Sequence, residues 1–174
     1  KPGSRLSSAT NPFSFGVFKL HVGKNAYNVQ EADIQNYFED LRMDYIGAYY
    51  GMYFVEISDY YTRENSDEKE MLRLLYQSLR ALSVPSLSKE LVRYIFEMKS
   101  IVINGEFPGL PVDWRLEAST EYAVQFIVNA PIEKLFTFTV SDSVLIELEQ
   151  LSQHYRSKLW DREFKSLEII KTLC

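Results

Sequence analysis

The chain has 174 residues, 46% of them hydrophobic and 25% charged, with a formal net charge of −5. That is the make-up of an ordinary globular protein with one core or two small ones, and its acidity argues against wholesale nucleic-acid binding. The single cysteine, Cys174, excludes a disulfide framework and any cysteine-based metal site.

Cysteine poverty fits a reducing, cytoplasmic setting, and no signal peptide or membrane-spanning run is legible. Charge is unevenly spread. Residues 1–25 hold Lys1, Arg5, Lys19 and Lys24 and no acid, so a basic leading segment precedes an acidic body.

Residues 1–12, KPGSRLSSATNP, are rich in Ser, Pro and Gly and read as loop. Phe13, Phe15 and Val17, then Phe18, Leu20 and Val22, alternate with small or polar residues. The change of phase at Val17–Phe18 predicts a bulge. Gly23-Lys24-Asn25 is a turn signal and Ala26–Val29 a returning strand, so a β-hairpin is expected near 13–29. A lone hairpin is marginal in water and must pack on something.

From Glu31 the period becomes helical. Ile34, Tyr37, Phe38, Leu41 and Tyr45 predict a helix over 31–44. Residues 45–61, YIGAYYGMYFVEISDYY, carry six tyrosines and no charge from Tyr45 to Val55. Ile46, Tyr50, Tyr53, Phe54, Ile57 and Tyr61 recur at helical spacing beside Tyr45, Tyr49 and Tyr53. That breadth of apolar surface predicts a core helix surrounded by others. Gly47, Ala48 and Gly51 form a small-residue stripe, and two glycines inside a helix ask for a packing reason.

Asp67-x-x-Glu70 resembles a capping box for a helix ending at Val84-Pro85. Ser88 caps the next, with Leu91, Val92, Ile95, Phe96 and Val102 apolar. Residues 104–115 read as a connector. Ser119 opens a short helix ending at Asn129-Ala130-Pro131, and Leu135–Val140 alternates like a short strand. Ser141 caps a long helix bearing Val144, Leu145, Leu148, Leu151, Tyr155 and Leu159, with Asp142 and Arg156/Lys158 suiting its dipole.

No catalytic constellation assembles. His21 and His154 lack metal-ligand spacing. There is no nucleophile elbow, P-loop or dinucleotide-binding glycine pattern. The Lys1/Arg5 cluster reads either as a solvated terminus or as phosphate contact beside aromatic strands. Lys89 and Arg93 share a face with Phe96, which is either plain surface or the cationic rim of an apolar groove.

Three stretches together resemble the RecO family of bacterial recombination mediators. They are residues 130–170, with Pro-Ile-Glu-Lys-Leu, a Ser-capped helix and Arg-x-Phe-Lys-Ser-Leu at Arg162–Leu167; residues 41–82; and residues 1–34. The resemblance implies a mainly α chain. Residues 1–30 would be the remnant of an N-terminal OB-fold domain, a partial OB-fold hairpin, and residues 31–174 a C-terminal helical domain. The strands present cannot close a five-stranded barrel. Many family members also carry four zinc-finger cysteines after a Gly-x-x-Pro similar to Gly105–Pro108, and these are absent here, so no zinc or other cofactor is expected.

The resemblance further implies a DNA repair protein that is not an enzyme. It would bind single- and double-stranded DNA, anneal strands, dock on the acidic tail of single-stranded-DNA-binding protein (SSB), pair with RecR, and help load recombinase. No membrane role is implied. Lys1, Arg5 and Lys24, with Lys19 beside them, become candidate DNA contacts; Arg156, Lys158, Arg162 and Lys165 are a second basic group. For the SSB tail, an acidic peptide ending in an apolar side chain and a free carboxylate, a receptor needs an apolar pocket rimmed by cations. Helix 88–103 is the expected site, through Lys89, Arg93, Phe96 and Lys99, with Leu91 and Ile95 lining the groove. The competing expectation for Arg93 is a simple pair with Glu97. A helical protein-interaction module without DNA binding is the alternative for the whole chain.

Overall fold

The computed structural model describes residues 5–173. These residues form eight α-helices, one short 3-10 helix (Ile132–Lys134) and one hairpin, so the chain is mainly α with a β-hairpin ahead of the helical body. The hairpin pairs β1 (Phe15–Val22) with β2 (Tyr27–Asn36), antiparallel, after a short helix α1 (Arg5–Ala9). The remaining helices are α2 (Glu39–Met43), α3 (Tyr45–Tyr61), α4 (Lys69–Ala81), α5 (Lys89–Ile103), α6 (Ala118–Asn129), α7 (Asp142–Leu159) and α8 (Lys165–Leu173).

The helix expected over 31–44 does not form. Residues 27–36 are strand, and only Glu39–Met43 is helical. Ile34, Tyr37, Phe38 and Leu41 fit a helical period, but Ala32, Ile34 and Asn36 also alternate, half-buried, with exposed neighbours. Pairing with Phe15–Lys19 decides in favour of the strand. The irregularities fall at Phe15/Gly16 and Lys19/Leu20 rather than at Val17–Phe18. Beyond β2 the chain turns through Phe38, held in a left-handed conformation (φ 47°) while Asn36 accepts its N–H at 2.8 Å.

The hairpin sits on the helices through aromatic rings. Phe15 and Phe38 pack on Tyr76 of α4, with centroids at 4.5 and 5.5 Å. Phe13 lies against Gly51 of α3, which accounts for a glycine at that helical position. Gly47 has a different reason. Asp44 caps α3 by accepting the Gly47 N–H at 3.0 Å, and a Cβ there would stand 2.6 Å from the Asp44 carboxylate.

The helix enclosed on all sides is α5, not α3. From Leu91 to Ser100 every residue is buried, and α3, α4, α6 and α7 pack around it. Helix α3 buries Tyr50, Tyr53, Phe54 and Ile57 but leaves Tyr45 exposed. Phe54 stacks on Phe96 of α5 at 4.3 Å, joining the two elements at the centre of the core. The serine caps are as the sequence suggests: Ser88 accepts from Leu91 N and Ser141 from Val144 N. The reciprocal box at Asp67/Glu70 is not made; Asp67 takes the Lys69 N–H instead. Residues 135–140 form no strand, and Phe136, Phe138 and Val140 rest on the core from a loop.

Helix α8 is fastened across α3. Glu56 accepts both the backbone N–H of Ser166 (3.3 Å) and its hydroxyl (3.0 Å), so a carboxylate from α3 caps the first turn of α8. Arg162 donates to the Glu56 carbonyl at 3.1 Å and lies over the rings of Tyr60 and Phe164.

Candidate functional site

An α5 buried on every side must account for its own charges, because an unpaired buried charge costs several kcal/mol, on the order of the whole stability of a domain. Each charge has a partner. Lys89 meets Asp44 at 2.9 Å. Lys99 donates to the carbonyls of Val128 (2.8 Å) and Ala130 (2.9 Å), closing the C-terminus of α6, and burial lowers its pKa below the usual lysine value. Glu97, 1% exposed, sits where α3, α5 and α7 meet. It accepts the hydroxyl of Tyr53 at 2.6 Å and that of Ser152, with Nε of Arg93 and Nε of Arg156 each 3.5 Å from its oxygens. Burial and the neighbouring carboxylate push the Tyr53 phenol well above its ordinary pKa. Burial, the largest single influence, works against the charge on Arg93, but Glu97 together with Tyr94, Tyr50 and Tyr53 outweighs it and the Arg93 pKa is raised.

Both arginines line a cleft of about 610 Å³ between α7, the 160–164 connector and α8. Trp160, Phe164 and Leu167 supply its apolar wall, and Arg162 and Lys171 add cations toward its mouth, interspersed with Glu149, Asp161, Glu163 and Glu168. The wall is tied in place. The Trp160 indole donates to Tyr61 at 2.7 Å, Tyr61 donates to Glu106 at 2.8 Å, and Phe164 meets Tyr53 and Trp160 edge-on. Burial raises the Tyr61 pKa above its ordinary value. The cleft thus offers guanidinium groups at the back and aromatic surface along one side, suited to a carboxylate attached to an apolar group.

Of the residues expected to hold an acidic peptide, only Arg93 reaches this cleft. Phe96 is fully buried, as are Leu91 and Ile95, so α5 opens no apolar groove of its own. Lys99 is occupied by the end of α6 and Lys89 by Asp44. Arg156 and Arg162, from the second basic group, stand beside Arg93 at the cleft; Lys158 and Lys165 are exposed and do not line it.

The residues expected to touch DNA are spread along the leading segment. Lys1 lies outside the described residues. Arg5 begins α1. Lys24 is exposed in the turn between the strands, and Lys19 faces Glu31 across the hairpin at 3.0 Å. Around them Val17, Leu20, Val22, Tyr27 and Val29 are exposed, a mixed apolar and charged sheet surface. Among the described residues no group of His, Cys, Asp and Glu is arranged to hold a metal ion, and no helix is long and apolar enough to cross a membrane.

Comparison with known proteins bears on both surfaces. Residues 42–113 match the family model for the C terminus of recombination protein O, a stretch running from α2 through α5 and ending inside the connector after it. The chain is 26% identical over 205 residues to the DNA repair protein RecO of Acetivibrio thermocellus, covering 99% of this chain and 82% of the relative. To the RecO protein of Clostridium perfringens it is 23% identical over 201 residues, covering 98% and 89%. To that of Desulforamulus reducens it is 29% identical over 110 residues, covering 63% and 42%. The first two alignments are longer than this chain, so those relatives carry residues within the matched range that it lacks. No solved structure matches. The resemblance to the RecO family read from the sequence is thereby established, with the C-terminal RecO region in residues 42–113 and the likeness extending along nearly the whole chain.

Proposed function

We propose that this protein acts in DNA repair as a non-enzymatic recombination mediator, binding and annealing DNA strands and helping to load recombinase onto SSB-coated DNA. Similarity to proteins named DNA repair protein RecO over nearly the whole chain carries the reading. The hairpin, with Lys19, Lys24 and the leading Lys1 and Arg5, is the DNA-contacting part. The helical body is the protein-docking part, with RecR and the SSB tail as its partners. The tail's terminal carboxylate belongs at the cleft backed by Arg93 and Arg156, with its apolar side chain against Trp160 and Phe164.

Two titrations test this. Fluorescence anisotropy of a labelled single strand reads salt-dependent binding, each neutralised phosphate adding roughly 0.7 to the log–log slope. Lys19→Glu with Lys24→Glu flattens that slope; an intact slope puts the DNA surface elsewhere. A labelled copy of the SSB tail reads docking. Arg93→Met leaves Glu97 balanced by Arg156, so the variant stays folded while tail affinity falls at least about tenfold, or ~1.4 kcal/mol. Tail binding without any strand binding or annealing would favour the second reading, a helical interaction module that does not itself touch DNA. That reading draws on the cleft, which is built wholly from the helical body, and on the pairing of Lys19 with Glu31.

A further inference from the structure

The cleft has a foundation that the docking reading leaves unused. Glu97 divides its two oxygens evenly. Oε1 takes the Tyr53 hydroxyl and faces Arg93 Nε, while Oε2 takes the Ser152 hydroxyl and faces Arg156 Nε. One buried carboxylate therefore stands between two cations, and the cluster carries an excess of positive charge. Both Nε atoms are buried and lack a hydrogen-bond partner. Charge excess and unpaired donors are each unfavourable away from water. The charge excess is relieved by one further anion arriving from the cleft that the two arginines line, while their Nε atoms stay turned toward Glu97.

We propose that Tyr53, Glu97 and Ser152 are positioning residues for anion capture. By holding Glu97 from both sides, the two hydroxyls set the placement of Arg93 and Arg156, so that the pair receives the single carboxylate at the C-terminus of a docked peptide. The hydroxyls come from α3 and α7 and the carboxylate from α5, so three helices fix the receptor before any ligand arrives. Preorganisation of this kind raises affinity by removing the cost of ordering two flexible side chains on binding. The inference rests on the tail-docking reading and specifies which part of the peptide the buried charge recognises.

The test compares two versions of one labelled acidic peptide ending in phenylalanine, one with a free terminal carboxylate and one amidated. The wild-type chain binds the free acid at least about tenfold more tightly than the amide, ~1.4 kcal/mol. Tyr53→Phe and Ser152→Ala each remove a hydroxyl with little change of shape. In each, the acid-to-amide ratio falls about three- to tenfold, the range that a net hydrogen bond carries, while affinity for the amide is unchanged. A hydroxyl with a merely structural role would move both peptides together or neither. Thermal melting establishes that each variant is folded, and either one alone suffices for the comparison. A ratio equal to wild type in a folded variant overturns the positioning role and leaves docking intact. Failure of the wild-type chain to bind either peptide removes the docking reading and the inference with it.

Discussion

Replacing Gly51 probes how the hairpin is attached to the helical body. A Cβ at this position would lie 2.8 Å from Cζ and 2.9 Å from Cε1 of Phe13, and 3.2 Å from Cδ2 of Leu79. Carbon atoms that are not bonded settle near 3.5–4.0 Å, so the Phe13 ring must retreat by most of an ångström. Overpacking of this kind costs about 1–3 kcal/mol. Against it stands the gain of about 1 kcal/mol from alanine over glycine inside a helix. Gly51→Ala is therefore destabilising by roughly 0–2 kcal/mol, and Gly51→Leu by more, since its further carbons enter the same space. The sign reverses in a Phe13→Ala background. With the ring removed the one close contact left is the flexible end of Leu79, which need give only a few tenths of an ångström, so the propensity gain dominates and Gly51→Ala becomes stabilising by up to about 1 kcal/mol. Urea midpoints for the four chains of this double-mutant cycle give a coupling of at least about 1 kcal/mol. Additive effects, within about 0.3–0.5 kcal/mol, would mean that Phe13 does not rest on α3, and the placement of the hairpin would be refuted.

Three further outcomes follow from the core. Glu97→Ala leaves two buried guanidiniums without their carboxylate and costs about 3–5 kcal/mol in denaturant unfolding; a loss under about 1 kcal/mol would show the cluster to be solvated. Lys99→Met keeps the buried stem but abandons two carbonyls at the end of α6, so amide exchange over 125–130 accelerates and stability falls by about 1–3 kcal/mol. Tyr94 and Tyr155 are pushed up to about 12 by burial, and Tyr53 and Tyr61 are raised as well. Their folded-state values lie above the unfolded one, so their contribution is complete below about pH 10 and is lost as pH rises from there toward the folded values. Absorbance at about 295 nm should show these tyrosines ionising late and together with unfolding; early ionisation of all twelve tyrosines in a still-folded chain would contradict their burial.

Local signals were legible where local chemistry decides. Ser88 and Ser141 mark helix starts correctly because capping needs only a side chain and the N–H three residues on. The hairpin turn at 23–26 was readable for the same reason. The continuation of the second strand over 31–36 was not, because its apolar spacing suits either period and its partners lie 12 to 21 residues back. The cleft was half legible. Arg93, Arg156 and Arg162 each stood out as cations, yet Arg93 and Glu97 read as an exposed pair four residues apart. Their burial comes from Tyr53, Ser152 and Arg156, which lie about 40 to 60 residues away along the chain in other helices. The apolar residues of α5 were recognised as a stripe. What no periodicity reports is that the charged stripe is buried too, since each charge finds its partner only after folding.

Chemical-shift mapping of the ¹⁵N-labelled chain with the acidic, phenylalanine-terminated peptide reads docking at the cleft residue by residue. Shifts are expected on the Trp160 indole N–H, the arginine Nε–H signals of Arg93 and Arg156, and the backbone of Phe164 to Leu167, with the hairpin silent. Saturating peptide that moves the hairpin signals of 15–36 and leaves Trp160 and both arginines unmoved would contradict it.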